Sequence, residues 1–156
     1  MKKSNFLNKL KREGKLTLVE PSEEIKQSYL EKSESNMISA KILLDNNRLE
    51  EAVSLVYYSM YHALTALLFR TGIKSENHSA SIILLKGVFG IDNSEISFLK
   101  KERINKQYYV DFEITKAEVE DSLEIAEKFN AKLLDIISKI TNEDIMSYRE
   151  KFKKLL

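Results

Sequence analysis

Tyr58, His62 and Thr65 fall at i, i+4 and i+7 of a stretch, Ala52 to Leu68, that is otherwise mostly apolar. On a helix these positions share one face. A buried polar group without a partner costs about 1–3 kcal/mol, so this hydroxyl–imidazole row is either a satisfied core network or the wall of a cleft. A second constellation is Arg103-Ile104-Asn105-Lys106-Gln107-Tyr108. Arg103 and Tyr108 are five apart, slightly past one turn, so their tips can reach the same neighbourhood. A guanidinium beside amide and phenol donors can hold a phosphate. The third is Asn77-His78, which reads as a helix-start contact or as a second imidazole near the same cleft. The candidate ligand-binding set is therefore Tyr58, His62, His78, Arg103, Asn105 and Tyr108.

Other chemistries fail on counting. The absence of Cys removes disulfides, zinc–thiolate sites, iron–sulfur clusters and thiol nucleophiles. A di-iron bundle needs Glu three residues before each His, but Ser59 precedes His62 and Ser75 precedes His78 at that distance. No Gly-rich phosphate loop, H-E-x-x-H or nucleophile elbow is present. No metal site and no cofactor are expected.

The elements that must position these side chains are helical. Of 156 residues, 43% are apolar and 31% charged, with one Pro and four Gly, which suits one globular helical domain and not a turn-rich β fold. Residues 1–21 form an N-terminal arm. Phe6, Leu7 and Leu10 suggest a short helix, and Leu16–Val19 a brief extended piece that packs on the body or on a neighbouring subunit. A helix follows Pro21, with Ser22 as cap and Glu23 and Glu24 at its positive end. The next, from about Arg48 to Thr71, is apolar nearly all round and is expected at the centre of the bundle; Gly72 stops it. Further helices are expected over about 76–89, with Ser75 as cap, and over about 94–109. Another starts at Thr115, where Glu118 completes a capping box. Its positions 119, 123, 126, 130, 133, 137 and 140 form a heptad seam broken once, at Asn130. Asn142 is expected to cap a last helix. The expected fold is all-α: an antiparallel up-and-down bundle of about five core helices over 22–141, with the N-terminal arm and a C-terminal helix over 142–156.

The net charge of +1 argues against a general nucleic-acid coat. The distribution is uneven, however. Basic clusters occupy 1–15 (Lys2, Lys3, Lys9, Lys11, Arg12, Lys15), 100–106 (Lys100, Lys101, Arg103, Lys106) and 149–154 (Arg149, Lys151, Lys153, Lys154). They can meet phosphates or serve as solvated helix faces. No run of about 18 uncharged apolar residues is present and the N-terminus lacks a signal-peptide core. The expectation is a cytoplasmic protein with no membrane partner.

Tyr57-Tyr58-Ser59-Met60-Tyr61-His62-Ala63, then Gly72 with Asn77-His78-Ser79, then Arg103-x4-Tyr108 together resemble HEPN domains (higher eukaryotes and prokaryotes nucleotide-binding). The likeness is to the small prokaryotic subgroup and covers roughly residues 22–141. It implies an antiparallel helical bundle, a homodimer, and an RNA- or nucleotide-binding role, often beside a minimal nucleotidyltransferase protein in a toxin–antitoxin pair. The family's ribonucleases carry Arg, four to six residues, then His. Arg103 matches the Arg, but Tyr108 stands where the His would be, and Gln107 replaces the subgroup's Asp. A phenol with a pKa near 10 is a poor base at neutral pH, so the resemblance implies binding ahead of catalysis. A weak metal-independent ribonuclease using Arg103 and Tyr108 is the first alternative; a non-catalytic protein-interaction module is the second.

Overall fold

The computed structural model describes residues 2–108 and 113–156, without the side chains of 106–108. The described chain runs α1 (Lys2–Arg12), β1 (Leu16–Leu18), α2 (Glu23–Asp45), α3 (Leu49–Arg70), β2 (Ile73–Ser75), α4 (His78–Gly87), α5 (Ser94–Tyr108), α6 (Lys116–Lys139) and α7 (Asn142–Leu155). It is an all-α antiparallel bundle with one small two-stranded ribbon.

α3 is the hub. Tyr57, Met60, Leu64, Leu67 and Leu68 are fully buried on it, and it packs against α2, α4, α5, α6 and β2. By length and hydropathy α3 could cross a membrane, but 72% of its most apolar window is buried inside the fold. α2 starts where the Ser22 hydroxyl accepts from the Ile25 N–H at 3.0 Å. It turns back through Asn46 and Asn47, the latter at φ 57°, a left-handed conformation that Asn tolerates. This hairpin is the core pair.

The seam of α6 is used inside the molecule. Val119, Leu123, Ala126, Leu133 and Ile137 are buried, and α3 is the main neighbour of α6. Asn130 is half-buried and donates to Ser59 Oγ at 3.3 Å, while Ser33 Oγ donates to the Ser59 carbonyl at 2.6 Å. The polar break in the seam thus sits at a three-helix joint.

The expectation at residues 73–77 needs correction. Ile73–Ser75 form β2, which pairs antiparallel with β1 in the register Leu16↔Ser75, Thr17↔Lys74, Leu18↔Ile73. The cap of α4 is accordingly Asn77, whose side-chain oxygen accepts from the Ala80 N–H at 2.9 Å, and not Ser75. Likewise Thr141, not Asn142, caps α7, in a reciprocal box with Asp144. The arm packs on the body, with Leu7, Leu10 and Leu16 buried. Gly72 (φ +76°) turns α3 into β2, and a Cβ there would collide with the Val19 carbonyl and the Arg149 guanidinium. Arg149 Nη1 donates to the carbonyls of Val19 (2.7 Å), Gly72 (2.8 Å) and Thr71 (3.3 Å), so α7 clamps the ribbon.

Candidate functional site

α5 buries Ile96 and Leu99, and the helix packs on α3. Arg103 lies four residues beyond Leu99 and seven beyond Ile96, on the same stripe. A cation stands where the packing pattern asks for an aliphatic side chain. It lands on aromatic rings: its guanidinium carbon is 5.4 Å from the Tyr57 centroid and 5.2 Å from that of Tyr58, within cation–π range. Arg103 Nη1 donates to the Tyr58 hydroxyl at 3.0 Å. Among the described residues its Nε is buried without a hydrogen-bond partner. Among the described residues, no carboxylate lies within ion-pair distance of Arg103.

α4 supplies the other wall. His78, its first residue, stacks on Tyr61 with centroids 3.7 Å apart. Its Nδ1 lies 2.8 Å from the Tyr57 hydroxyl, and its ring meets Tyr58 edge-on at 6.3 Å. Burial, and then the positive charge of Arg103 and Lys100, pushes the His78 pKa down to about 4. Burial raises the Tyr57 phenol well above its ordinary value, with Tyr61 adding to the rise and Arg103 opposing it. Tyr61 is raised by burial too. At neutral pH the pocket therefore holds protonated phenols, a neutral imidazole and a cationic guanidinium. Tyr57 donates to Nδ1 whenever the imidazole proton is on Nε2.

Lys100 lies one turn before Arg103 and donates to Ser79 Oγ at 2.5 Å. Burial, with help from Arg103, depresses its pKa. Two cations and the amino end of α4 thus meet a row of phenols. Such a site attracts an anion, and a planar fork suits a phosphate best.

The candidate residues divide into two groups. Tyr58, His78 and Arg103 come together. His62 adjoins them through a ring contact with Tyr58 at 6.2 Å, but it turns toward α2, where its Nδ1 is 2.7 Å from Asn36 Oδ1. Burial lowers the His62 pKa, and the charge of Lys32 adds to this. Thr65 is buried and donates back to the Tyr61 carbonyl at 2.9 Å, so it is helix structure. Asn105 lies two positions past Arg103, about 200° round the helix, and has no hydrogen bond to the cluster among the described residues. The Tyr108 side chain lies outside the described residues. Sequence reasoning missed Tyr57, Tyr61, Lys100, Ser79 and Asn36. The signal for the two tyrosines was their i, i+4 spacing in Y-Y-x-x-Y-H, and that for Lys100 its i, i+3 spacing to Arg103.

Among the described residues no group of His, Asp and Glu could hold a metal ion.

Comparison with known proteins gives a consistent picture. Residues 27–140 match the HEPN domain family. The chain is 29% identical over 121 residues to a Methanocaldococcus jannaschii protein named "Putative toxin", a match covering 73% of this chain and 90% of that one. It is 35% identical over 82 residues to a UPF0332 protein of Pyrococcus horikoshii, covering 53% of this chain and 54% of the other. A UPF0332 protein of Thermotoga maritima is 32% identical over 85 residues, covering 54% and 58%. The matched segment thus spans little more than half the length of each of the last two.

Proposed function

The chain belongs to the HEPN domain family, and from that premise we propose that it is a toxin-like HEPN protein whose Arg103 pocket binds a phosphate of RNA or of a nucleotide. The observation that carries this reading is a guanidinium on a packing stripe, over two tyrosine faces, with no carboxylate partner among the described residues. Arg103 is half-buried, and a cation partly withdrawn from water is stabilised when an anion compensates it. An incoming phosphate supplies that compensation. Arg103 binds it through the fork, Lys100 and the amino end of α4 add positive potential, and Tyr58 holds the guanidinium in place. The toxin-like role is supported by the name of the Methanocaldococcus relative. The protein works in the cytoplasm, as a homodimer, beside a minimal nucleotidyltransferase; co-purification with that protein from a two-gene expression tests the pairing.

Calorimetric titration with a mononucleotide and with RNA tests the site. Arg103→Ala abolishes binding while the melting temperature and helix content stay near wild type. Tyr58→Phe, which removes one hydrogen bond of about 1 kcal/mol, weakens binding roughly fivefold. Unchanged affinity in Arg103→Ala removes the assignment.

A second reading is favoured by His78. A neutral imidazole beside a guanidinium supplies the proton-transfer group that Arg103-x4-Tyr108 lacks. In metal-independent cleavage His78, a weak base at a pKa of about 4, would take the proton of the 2′-hydroxyl as it attacks phosphorus. The P–O5′ bond would break with the 5′-oxygen protonated from water, and Arg103 would stabilise the charge on the phosphorane. Cleavage in EDTA that is lost in His78→Ala and Arg103→Ala, with Tyr108→Phe run alongside, supports this version. No cleavage by the wild type leaves a binding protein. If Tyr58→Phe and His62→Ala shift the melting temperature while no ligand binds the wild type, the fold is an interaction module.

A further inference from the structure

Two hollows lie along α1 and α4, one of about 300 Å³ bounded by Leu155 of α7 and one of about 390 Å³ bounded by α5. Lys3, Ile83 and Asn93 line both, so they join into one groove. Among the described residues its lining carries Lys3, Lys86, Lys100 and Lys101 and no Asp or Glu. That is a strong local imbalance in a chain with 25 basic and 24 acidic residues. None of these four lysines pairs with a carboxylate within ion-pair distance among the described residues. Asp92 is the nearby acidic side chain that feels Lys86, and it does not line the groove. The floor is aliphatic, with Ile82, Ile83 and Ile104 on one stretch and Leu7 and Leu155 on the other. The cleft between α2 and α6 has the opposite character: among the described residues Glu31, Glu34 and Glu127 line it, and no Lys or Arg does.

The groove adjoins the Arg103 cluster along α4 and α5. Ser79 and Lys100, joined by a 2.5 Å hydrogen bond, line its near end. Ser79 follows His78 in α4, and Lys100 precedes Arg103 by one turn of α5.

We propose that this groove carries the backbone of a single-stranded nucleic acid onward from the phosphate held at Arg103, with Lys101, Lys3 and Lys86 meeting successive phosphates. The proposal rests on the phosphate-binding reading above and adds the path and the size of the ligand: an oligonucleotide strand, not a free nucleotide. A strand offers both things this groove asks for, regularly spaced charge for the lysines and flat apolar faces for the aliphatic floor. A duplex would present phosphates alone and leave the floor unused. An acidic peptide would satisfy the lysines and would bring no phosphate to Arg103.

The test measures binding of a mononucleotide and of a single-stranded oligonucleotide about 12 nucleotides long between 50 and 200 mM salt. The wild type is compared with the combined variant Lys3→Gln, Lys86→Gln, Lys101→Gln. All three lysines are exposed, and a melting curve confirms that the variant folds. Each phosphate contact to a single strand contributes about 0.7 to the log–log salt slope. Losing three lowers the oligonucleotide slope by about 2. Over this fourfold salt range the wild type then loses about 20-fold more oligonucleotide affinity than the variant. Mononucleotide affinity stays equal in the two proteins. An unchanged slope, with Arg103-dependent binding of the mononucleotide intact, overturns the groove and leaves the phosphate site standing. No binding of either ligand overturns both. Equal binding of the matching duplex overturns the single-strand assignment, and equal competition by polyglutamate overturns the nucleic-acid assignment.

Discussion

His78 concentrates the electrostatics of the pocket in one titration. Its pKa is pushed down to about 4 by burial and by the neighbouring Arg103 and Lys100 charges, against about 6.5 in the unfolded chain. The unfolded state therefore takes up this proton first as pH falls. The stability linked to His78 is present above about pH 6.5 and is lost progressively as pH drops toward 4. A His78→Gln variant should thus lose less melting temperature than the wild type over that window, and an NMR titration of the wild type should place the His78 midpoint far below that of an exposed histidine. A midpoint near 6.5 would contradict the burial and the charge geometry together. Binding a phosphate beside Arg103 moves the midpoint upward, since the anion cancels the field that keeps the imidazole neutral. Tyr58 was legible as a polar group on an apolar helix, Arg103 through its spacing to Tyr108, and His78 through its place at a helix start. Tyr57 was not, because a tyrosine whose ring is fully buried reads as one more position of an apolar face, and Tyr61 gave only its i, i+4 spacing to Tyr57. Asn36 gave no periodic signal, since its value comes only from meeting His62 across two helices.

Helices were legible because their signals are local. The stripe of α3, the Ser22 cap of α2 and the Thr115 hydroxyl that accepts from the Glu118 N–H at 3.2 Å all sit within a few residues of what they specify. β2 was not. Its pairing with β1 closes across the whole α2–α3 hairpin, and a three-residue strand has no periodicity of its own. What fixes the ribbon is equally remote: Arg149, on the last helix, spends one nitrogen on three carbonyls at the α3–β2 corner and the end of the arm. Hydrogen bonds from a charged donor contribute about 1.5–3 kcal/mol. Arg149→Ala should therefore cost about 2–3 kcal/mol in denaturant unfolding. Hydrogen exchange should locate the damage at the Val19 and Glu76 amides, which bond the Gly72 and Lys15 carbonyls beside the ribbon. Arg149→Lys keeps the charge and should recover part of the loss. Uniform loss of protection across all helices, with none concentrated at the ribbon, would refute the clamp.

At the scale of the molecule, the heptad seam of α6 is filled by α3 of the same chain. A heptad pattern carries no label saying whether the facing helix belongs to the same chain. A homodimer must then use what the bundle leaves uncovered. Ile38 and Ile42, one turn apart on α2, and Leu134 on α6 are each more than half exposed, at 54%, 56% and 51%. Leu134 lines the α2–α6 cleft, and Lys41 bridges these two helices through Glu127 at 2.7 Å. A two-fold contact needs one patch that complements itself, and an aliphatic centre flanked by both signs of charge meets that requirement. Light scattering at tens of micromolar should give twice the 18.1 kDa of the chain. Ile38→Glu combined with Leu134→Glu should return the mass to that of one chain without lowering nucleotide binding at Arg103, because neither side chain lines that pocket or the basic groove. A monomeric wild type would end the homodimer reading, and a variant that stays dimeric would place the contact on another face.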